Sequence, residues 1–347
     1  MKKATSTGLI VLFAMFLASC APPSSLKAGS ATAESLIRLL PKTALGVIAI
    51  DVHRGLATAF VSKMLQDPKA KQKYDEFVKL AGIDPMKDVY FVVMGLTATP
   101  NATGQEGGVI VNLKYNKDNF LAAMKEKAPE FKSESYNGVT LYSNLDGSET
   151  KQTTRAAFLD DSNILFGSEA GVKGIIDVLQ KKTESVMKNA AMAGVFKKVD
   201  QSAIAWGAFS VPPDLIKKGA ESIPQLKVLE GVTALTISFD YRLSNFIADI
   251  RTAGGTKEQN TSLASALNGL KGLGAMMGGQ EPALADLLSA IEITSGQDFV
   301  RLYISVSADV MDKLGKAAQA KAGDFMNKKK DAPTEEKPAE EKPEVKK

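Results

Sequence analysis

Cysteine, histidine and tryptophan each occur once in the 347 residues, at Cys20, His53 and Trp206. One cysteine excludes an internal disulfide framework and a Cys-based zinc or iron–sulfur site, and one histidine excludes a multi-His metal centre. Any Ser–His–Asp or Cys–His mechanism would have to run through His53. Aromatic residues are only 7% of the chain, which argues against a glycan groove or a single-strand nucleic-acid platform built by ring stacking. An excess of one charge is lacking too. The 43 Lys and Arg against 39 Asp and Glu leave +4, and loss of Lys2 and Lys3 with the leader described below reduces it to +2. That is no basic face for nucleic acid, so no nucleic-acid partner is expected.

Catalytic and cofactor motifs are equally scarce. No G-x-x-x-x-G-K-[ST] occurs, and no G-x-G-x-x-G follows a strand pattern. K-T-G, S-D-N and G-x-S-x-G are absent, and the S-x-x-K matches at Ser24, Ser148 and Ser185 stand in unrelated contexts, as chance places them. Asn144-Leu145-Asp146-Gly147 resembles the middle of a calcium loop, but Tyr142 and Thr153 occupy the positions that require Asp and Glu. No cofactor, metal site or catalytic residue is therefore assigned. A pair of distant carboxylates working as in glycosidases leaves no local signature and stays open.

What is present is an ordinary globular composition, 44% hydrophobic and 24% charged. A chain of this length can bury about 75% of its unfolded surface and needs no disulfides. Met1-Lys2-Lys3 is a short positive start, and Gly8 to Ala18 is uncharged and mostly apolar. That apolar run is too short for a membrane span, which needs about 20 residues, but it suits the core of a secretory signal. Leu17-Ala18-Ser19-Cys20 ends it. This tetrapeptide resembles the lipobox of bacterial lipoproteins: a Leu, two small residues, then Cys. The resemblance implies cleavage before Cys20, diacylglycerol on its thiol and acylation of the new N-terminus, enough chains for stable anchoring. Ala21, where Asp would favour inner-membrane retention in enteric diderm bacteria, implies an outer-membrane anchor facing the periplasm.

Residues 1–19 are thus expected to be a signal peptide and 20–33 a lipid-anchored flexible linker of Pro, Ser, Gly and Ala. At the other end, 326–347 reads as a disordered Lys/Glu/Pro tail with a five-residue quasi-repeat starting at Pro333, Pro338 and Pro343. It is a solubilising tail, or a spacer toward an envelope protein or peptidoglycan partner. Some envelope lipoproteins are joined to peptidoglycan through a C-terminal Lys, and Lys347 permits the same here.

Between them, β-branched and aromatic stretches alternate with helical ones. Residues 34–200 and 201–325 each read as strand, helix, hairpin, helix, hairpin, helix. The expected class is α+β, with antiparallel sheets, helices packed on them and two architecturally similar halves. The pattern is similar to that of exported bacterial proteins built from sheet-and-helix modules. Helices are expected at about 55–80 (broken at Asp67-Pro68), 117–126, 169–182, 184–198, 214–220, 257–277, 282–290 and 308–323. Asp160-Asp161-Ser162-Asn163 marks a solvated hairpin turn, and a second hairpin is expected around Arg242-Leu243.

Three features could carry function. His53 ends a strand with no motif around it and reads as a surface residue. Trp206 reads as core, with carbohydrate stacking as its functional alternative. Gly269 to Gly279 is a Gly-rich run with one Lys and no acid. Its Leu273, Met276 and Met277 could form an apolar lip for a lipid-like ligand or a partner, since Met adapts to irregular surfaces; alternatively the Met pair fills the core. The expected function is a membrane-anchored, non-catalytic binding or structural component of the cell envelope. The alternatives are a periplasmic carrier of an apolar or lipid-like ligand, which needs a deep apolar cavity, and an envelope hydrolase, which needs His53 or a carboxylate pair beside a nucleophile.

Overall fold

A computed structural model describes residues 32–97, 106–128, 130–143, 154–277 and 282–317. Cys20, the leader, the linker up to residue 31, the Asn144–Gly147 loop and the C-terminal tail lie outside the described residues; the last two linker positions, Thr32 and Ala33, are the N-cap and first residue of a helix. Among the described residues, twelve strands form one antiparallel sheet. They are β1 (Gly46–Asp51), β2 (Val89–Thr97), β3 (Glu106–Leu113), β4 (Lys132–Tyr136), β5 (Val139–Ser143), β6 (Arg155–Phe158), β7 (Asn163–Gly167), β8 (Ala205–Ser210), β9 (Val232–Arg242), β10 (Asn245–Gly254), β11 (Ile291–Ser295) and β12 (Val300–Ser307).

The class is α+β, but the separate sheets expected from sequence are joined. Their order is β11-β12-β10-β9-β8-β1-β2-β3-β7-β6-β5-β4. The leading strands of the two halves, β1 and β8, pair antiparallel at the centre. Each half then runs outward through a hairpin, β2-β3 or β9-β10, and ends on a second one, β6-β7 or β11-β12. The first half carries an additional hairpin, β4-β5. Sequence reading missed β4, because Lys132-Ser-Glu-Ser-Tyr136 sits exposed at the sheet edge and shows no apolar alternation. Charge along an edge strand blocks pairing with other chains, so its polarity is what the position asks for.

The register explains which residues are apolar. One row crosses nine strands as Phe166, Val109, Met94, Ile48, Gly207, Ile237, Ile250, Leu302 and Ile293. Its neighbour on the opposite face reads Leu165, Ile110, Val93, Ala49 and Trp206, then turns polar at Ser238, Asp249, Tyr303 and Glu292. Side chains alternate between faces along each strand, so a change in one row reports a change in what covers that face. Under the apolar part lie the helices Ala33–Ile37, Glu169–Leu179 and Ala190–Phe196, which form the largest core with Leu36, Leu40, Ile175, Ile176 and Met192. Each such side chain, fully buried, contributes roughly 1.5–3 kcal/mol. On the other face, Val52, Leu56 and Ile83 pack on Val92, Val111 and Ile164.

Local signals place the helices. The stretch 55–80, expected as two helices broken at Asp67-Pro68, is three: Val52–Leu56, Ala59–Met64 and Pro68–Ala81. Asp67 caps the third, accepting from the backbone N–H of Lys69 and Ala70 at 2.9 Å, with Pro68 in the first turn. The helix expected over 184–198 is also split. A 3-10 turn at Val186–Lys188 precedes Ala190–Phe196, whose N-cap Asn189 accepts from Ala191 and Met192. The second hairpin turns at Leu243-Ser244, one residue later than expected, with both residues at positive φ (51° and 63°). That matches the mirror-image turn that follows strand twist.

Candidate functional site

The helix Lys257–Met277 has the bounds expected from sequence. It starts on a reciprocal cap: Gln259 N–H donates to Thr256 Oγ1 and Thr256 N–H donates to Gln259 Oε1. Buried Asn260 donates to the carbonyls of Gly254 and Gln297, fixing the helix to the end of the sheet. Leu263, Ala264 and Leu267 face inward onto Val232, Val300, Leu302 and Ile293. Near the far end Lys271 Nζ donates to Ile291 O at 2.5 Å, so the only charged side chain after Glu258 on this helix turns back to β11.

Over the helix's last turns the outward face is then uncharged and apolar. Leu270, Leu273 and Met276, three residues apart, are 65%, 58% and 82% exposed. The structure puts Leu273 and Met276 on one helix face, as a lip requires, and takes Met276 out of the core. The Met277 side chain lies outside the described residues. Leu270 was missed. Its three-residue spacing from Leu273 is the signal that finds it.

Where the sheet turns polar, a different arrangement appears. Asp249 Oδ1 accepts from Arg251 Nε (3.0 Å) and Arg301 Nε (2.9 Å), and Oδ2 accepts from Arg251 Nη2 (2.7 Å) and Arg301 Nη2 (2.8 Å). Burial alone would raise the Asp249 pKa; the hydrogen bonds from Arg251 and Arg301 outweigh it and hold the pKa at about 2. This folded value lies below the ordinary 3.8, so the interaction stabilises fully above the unfolded pKa and is lost as pH falls from about 4 to 2. With part of the group in solvent, its expected share is about 1–2 kcal/mol. Denaturant unfolding of wild type against Asp249→Asn between pH 6 and pH 2 checks this. The stability difference should shrink as pH falls, and a constant difference would contradict it. Beside this cluster lies a cleft of about 220 Å³ lined by Lys198, Asp200, Thr236, Ser238 and Arg251. Charged residues at alternate positions, Asp249-x-Arg251, were the available signal for this face.

No family model and no curated protein matches the chain. Among solved structures it is similar to TP0453, a Treponema lipoprotein, in two crystal forms. Form III gives a TM-score of 0.46 at 12% identity over 79% of this chain and 95% of that one. Form I gives 0.45 at 11% over 82% and 96%. At these scores the likeness carries nothing about residues or activity.

The remaining sequence candidates are placed as follows. His53 lies within the Val52–Leu56 helix instead of ending the strand, half-buried beside Tyr90 with ring centroids 5.9 Å apart. Its Nδ1 is buried without a hydrogen-bond partner among the described residues. Trp206 is core, edge-on to Phe196. Asp160 and Asp161 sit exposed in the expected turn, where Asp160 accepts from Ser162 and Asn163. Among the described residues no group of acidic, His or Cys side chains could hold a metal ion, and no helix is long and apolar enough to cross a membrane.

Proposed function

We propose that this chain is a lipid-anchored, non-catalytic binding component of a bacterial cell envelope. It is tethered through Cys20 and engages an apolar partner with the outward face of the Lys257–Met277 helix. The observation that carries this reading is the trio Leu270, Leu273 and Met276, largely exposed on one face of a helix whose neighbouring Lys271 turns back to β11. Scattered surface leucines are ordinary; an uncharged stripe of three on successive turns is the pattern of a contact surface. The Leu17–Cys20 motif supports the anchor, and Ala21 supports an outer-membrane address facing the periplasm. An envelope protein or peptidoglycan is the partner this address makes available.

The test has two arms. Cys20→Ser should move the protein from the membrane to the soluble fraction and abolish palmitate labelling. Retention after a high-salt wash, or an unlabelled native protein, would refute the anchor. Leu270→Ser, Leu273→Ser and Met276→Ser combined should leave the fold intact, since exposed positions change stability little. In-cell crosslinking to partners should drop roughly tenfold, following about 1.4 kcal/mol of lost contact. Unchanged crosslinking would remove this helix from the reading.

A second reading rests on its own observation. Ile48, Met94, Ile237 and Ile250 are half-buried neighbours on one face of the central strands. An apolar ligand could lie along that row, and its presence would be read from lipid co-purifying with the protein.

A further inference from the structure

The polar face of the second half holds a cleft whose donors exceed its free acceptors. Its floor is Thr236 and Ser238 on β9, which stand directly opposite Arg251 and Asp249 on β10. The segment Lys198-Val199-Asp200, leaving the helix Ala190–Phe196, walls the other side. Thr236 is 5% exposed, and among the described residues neither its hydroxyl nor that of Ser238 has a hydrogen-bond partner. Both residues line the cleft, so both hydroxyls are free to donate to an acceptor placed there.

The carboxylates lining the cleft are already engaged. All four hydrogen bonds to Asp249 come from Arg251 and Arg301. Asp200 Oδ1 accepts from Ser202 N (3.0 Å) and Ser202 Oγ (2.6 Å), and Arg242 stands 3.8 Å from Oδ2. Lys198 has only a loose ion pair, 3.7 Å to Asp298. Arg251 uses Nε and Nη2 on Asp249, which leaves its Nη1 amino group unpartnered among the described residues. Two guanidinium groups on one carboxylate leave net positive charge, and a guanidinium fork with spare N–H bonds fits carboxylate or phosphate oxygens.

We propose that this cleft binds a small oxyanion, a carboxylate or a phosphate group, through Arg251, Lys198 and the hydroxyls of Thr236 and Ser238. The anion lies on the Arg251 side, away from Asp200. This site is separate from the apolar helix face, and its test does not depend on the lipid anchor.

Thermal unfolding of the full chain, with sodium phosphate or sodium acetate replacing sodium chloride at constant ionic strength, tests it. The melting temperature should rise with the concentration of at least one of the two. Phosphate alone points to a tetrahedral group, acetate alone to a carboxylate. Thr236→Val and Ser238→Ala keep size and charge, and each should at least halve the rise. Arg251→Gln should abolish it; this variant also disturbs Asp249, so the two hydroxyl variants decide. No concentration-dependent rise with either anion, or a full rise in both hydroxyl variants, overturns the proposal.

Discussion

Gly171→Ala is expected to destabilise the protein by about 3 kcal/mol, although alanine favours a helix over glycine by about 1 kcal/mol. Gly171 lies in the first turn of the helix Glu169–Leu179, where that helix presses on β3. A Cβ built there would fall on the carbonyl of Gly107, which is backbone and cannot rotate away. The contact is close on both sides. A Cβ at Gly108 would meet Ile175 Cδ1 at 2.5 Å and Gly171 O at 3.0 Å. Ser168 locks the approach: its Oγ accepts from Gly171 N–H (3.1 Å) and Gly107 N–H (3.3 Å), and its own N–H donates to Gly107 O (3.0 Å). The helix therefore cannot back off without giving up its cap and the burial of Val172, Ile175 and Ile176. Gly174, one turn on, is the internal control. A Cβ there meets only Pro41 at 3.4 Å, and Gly174→Ala should be neutral or stabilising by up to about 1 kcal/mol. Urea unfolding of both variants decides. Equal effects would mean that the helix does not sit on the sheet at this distance.

That contact was illegible in the sequence, where Gly107, Gly108, Gly167 and Gly171 look like unrelated glycines. The closeness exists only once β3 and the helix are in place. By contrast, the elements themselves were legible, because their signals are local. Asp67-Pro68 marked a helix start, and Asp67 caps it. Stretches rich in β-branched and aromatic residues marked the other strands and failed at β4, whose side chains meet solvent. The joining of two halves into one sheet through β1 and β8 was not legible either. Ala205 to Ser210 looks alike whether it pairs with β1 or begins a sheet of its own; pairing is a long-range property. For the Gly-rich helix end the sequence left two readings open, an apolar lip or a Met pair in the core; only the packed fold shows Leu273 and Met276 exposed. The oxyanion cleft needed the fold, since Lys198, Thr236 and Arg251 come together only across the β9-β10 hairpin.

Trp206→Ala should cost about 3–5 kcal/mol, the usual range for truncating a buried large aromatic. Trp206 is 4% exposed, stands opposite Ala49 on β1 and Ser238 on β9, and meets Phe196 edge-on with ring centroids 6.2 Å apart. It is the last apolar side chain in its row before the face opens to water. Its ring therefore seals the main core at the seam between the halves, and no smaller side chain at this position can span from β8 to the helix Ala190–Phe196. Trp206→Phe keeps an aromatic edge for Phe196 and should lose much less. Because Trp206 is the only tryptophan, the native protein gives a clean optical check. Emission should be blue-shifted, inaccessible to iodide, and should shift red in one step on unfolding. A ring held out for carbohydrate stacking would behave the opposite way: quenchable in the native state, and removable at less than about 1 kcal/mol, as exposed side chains are.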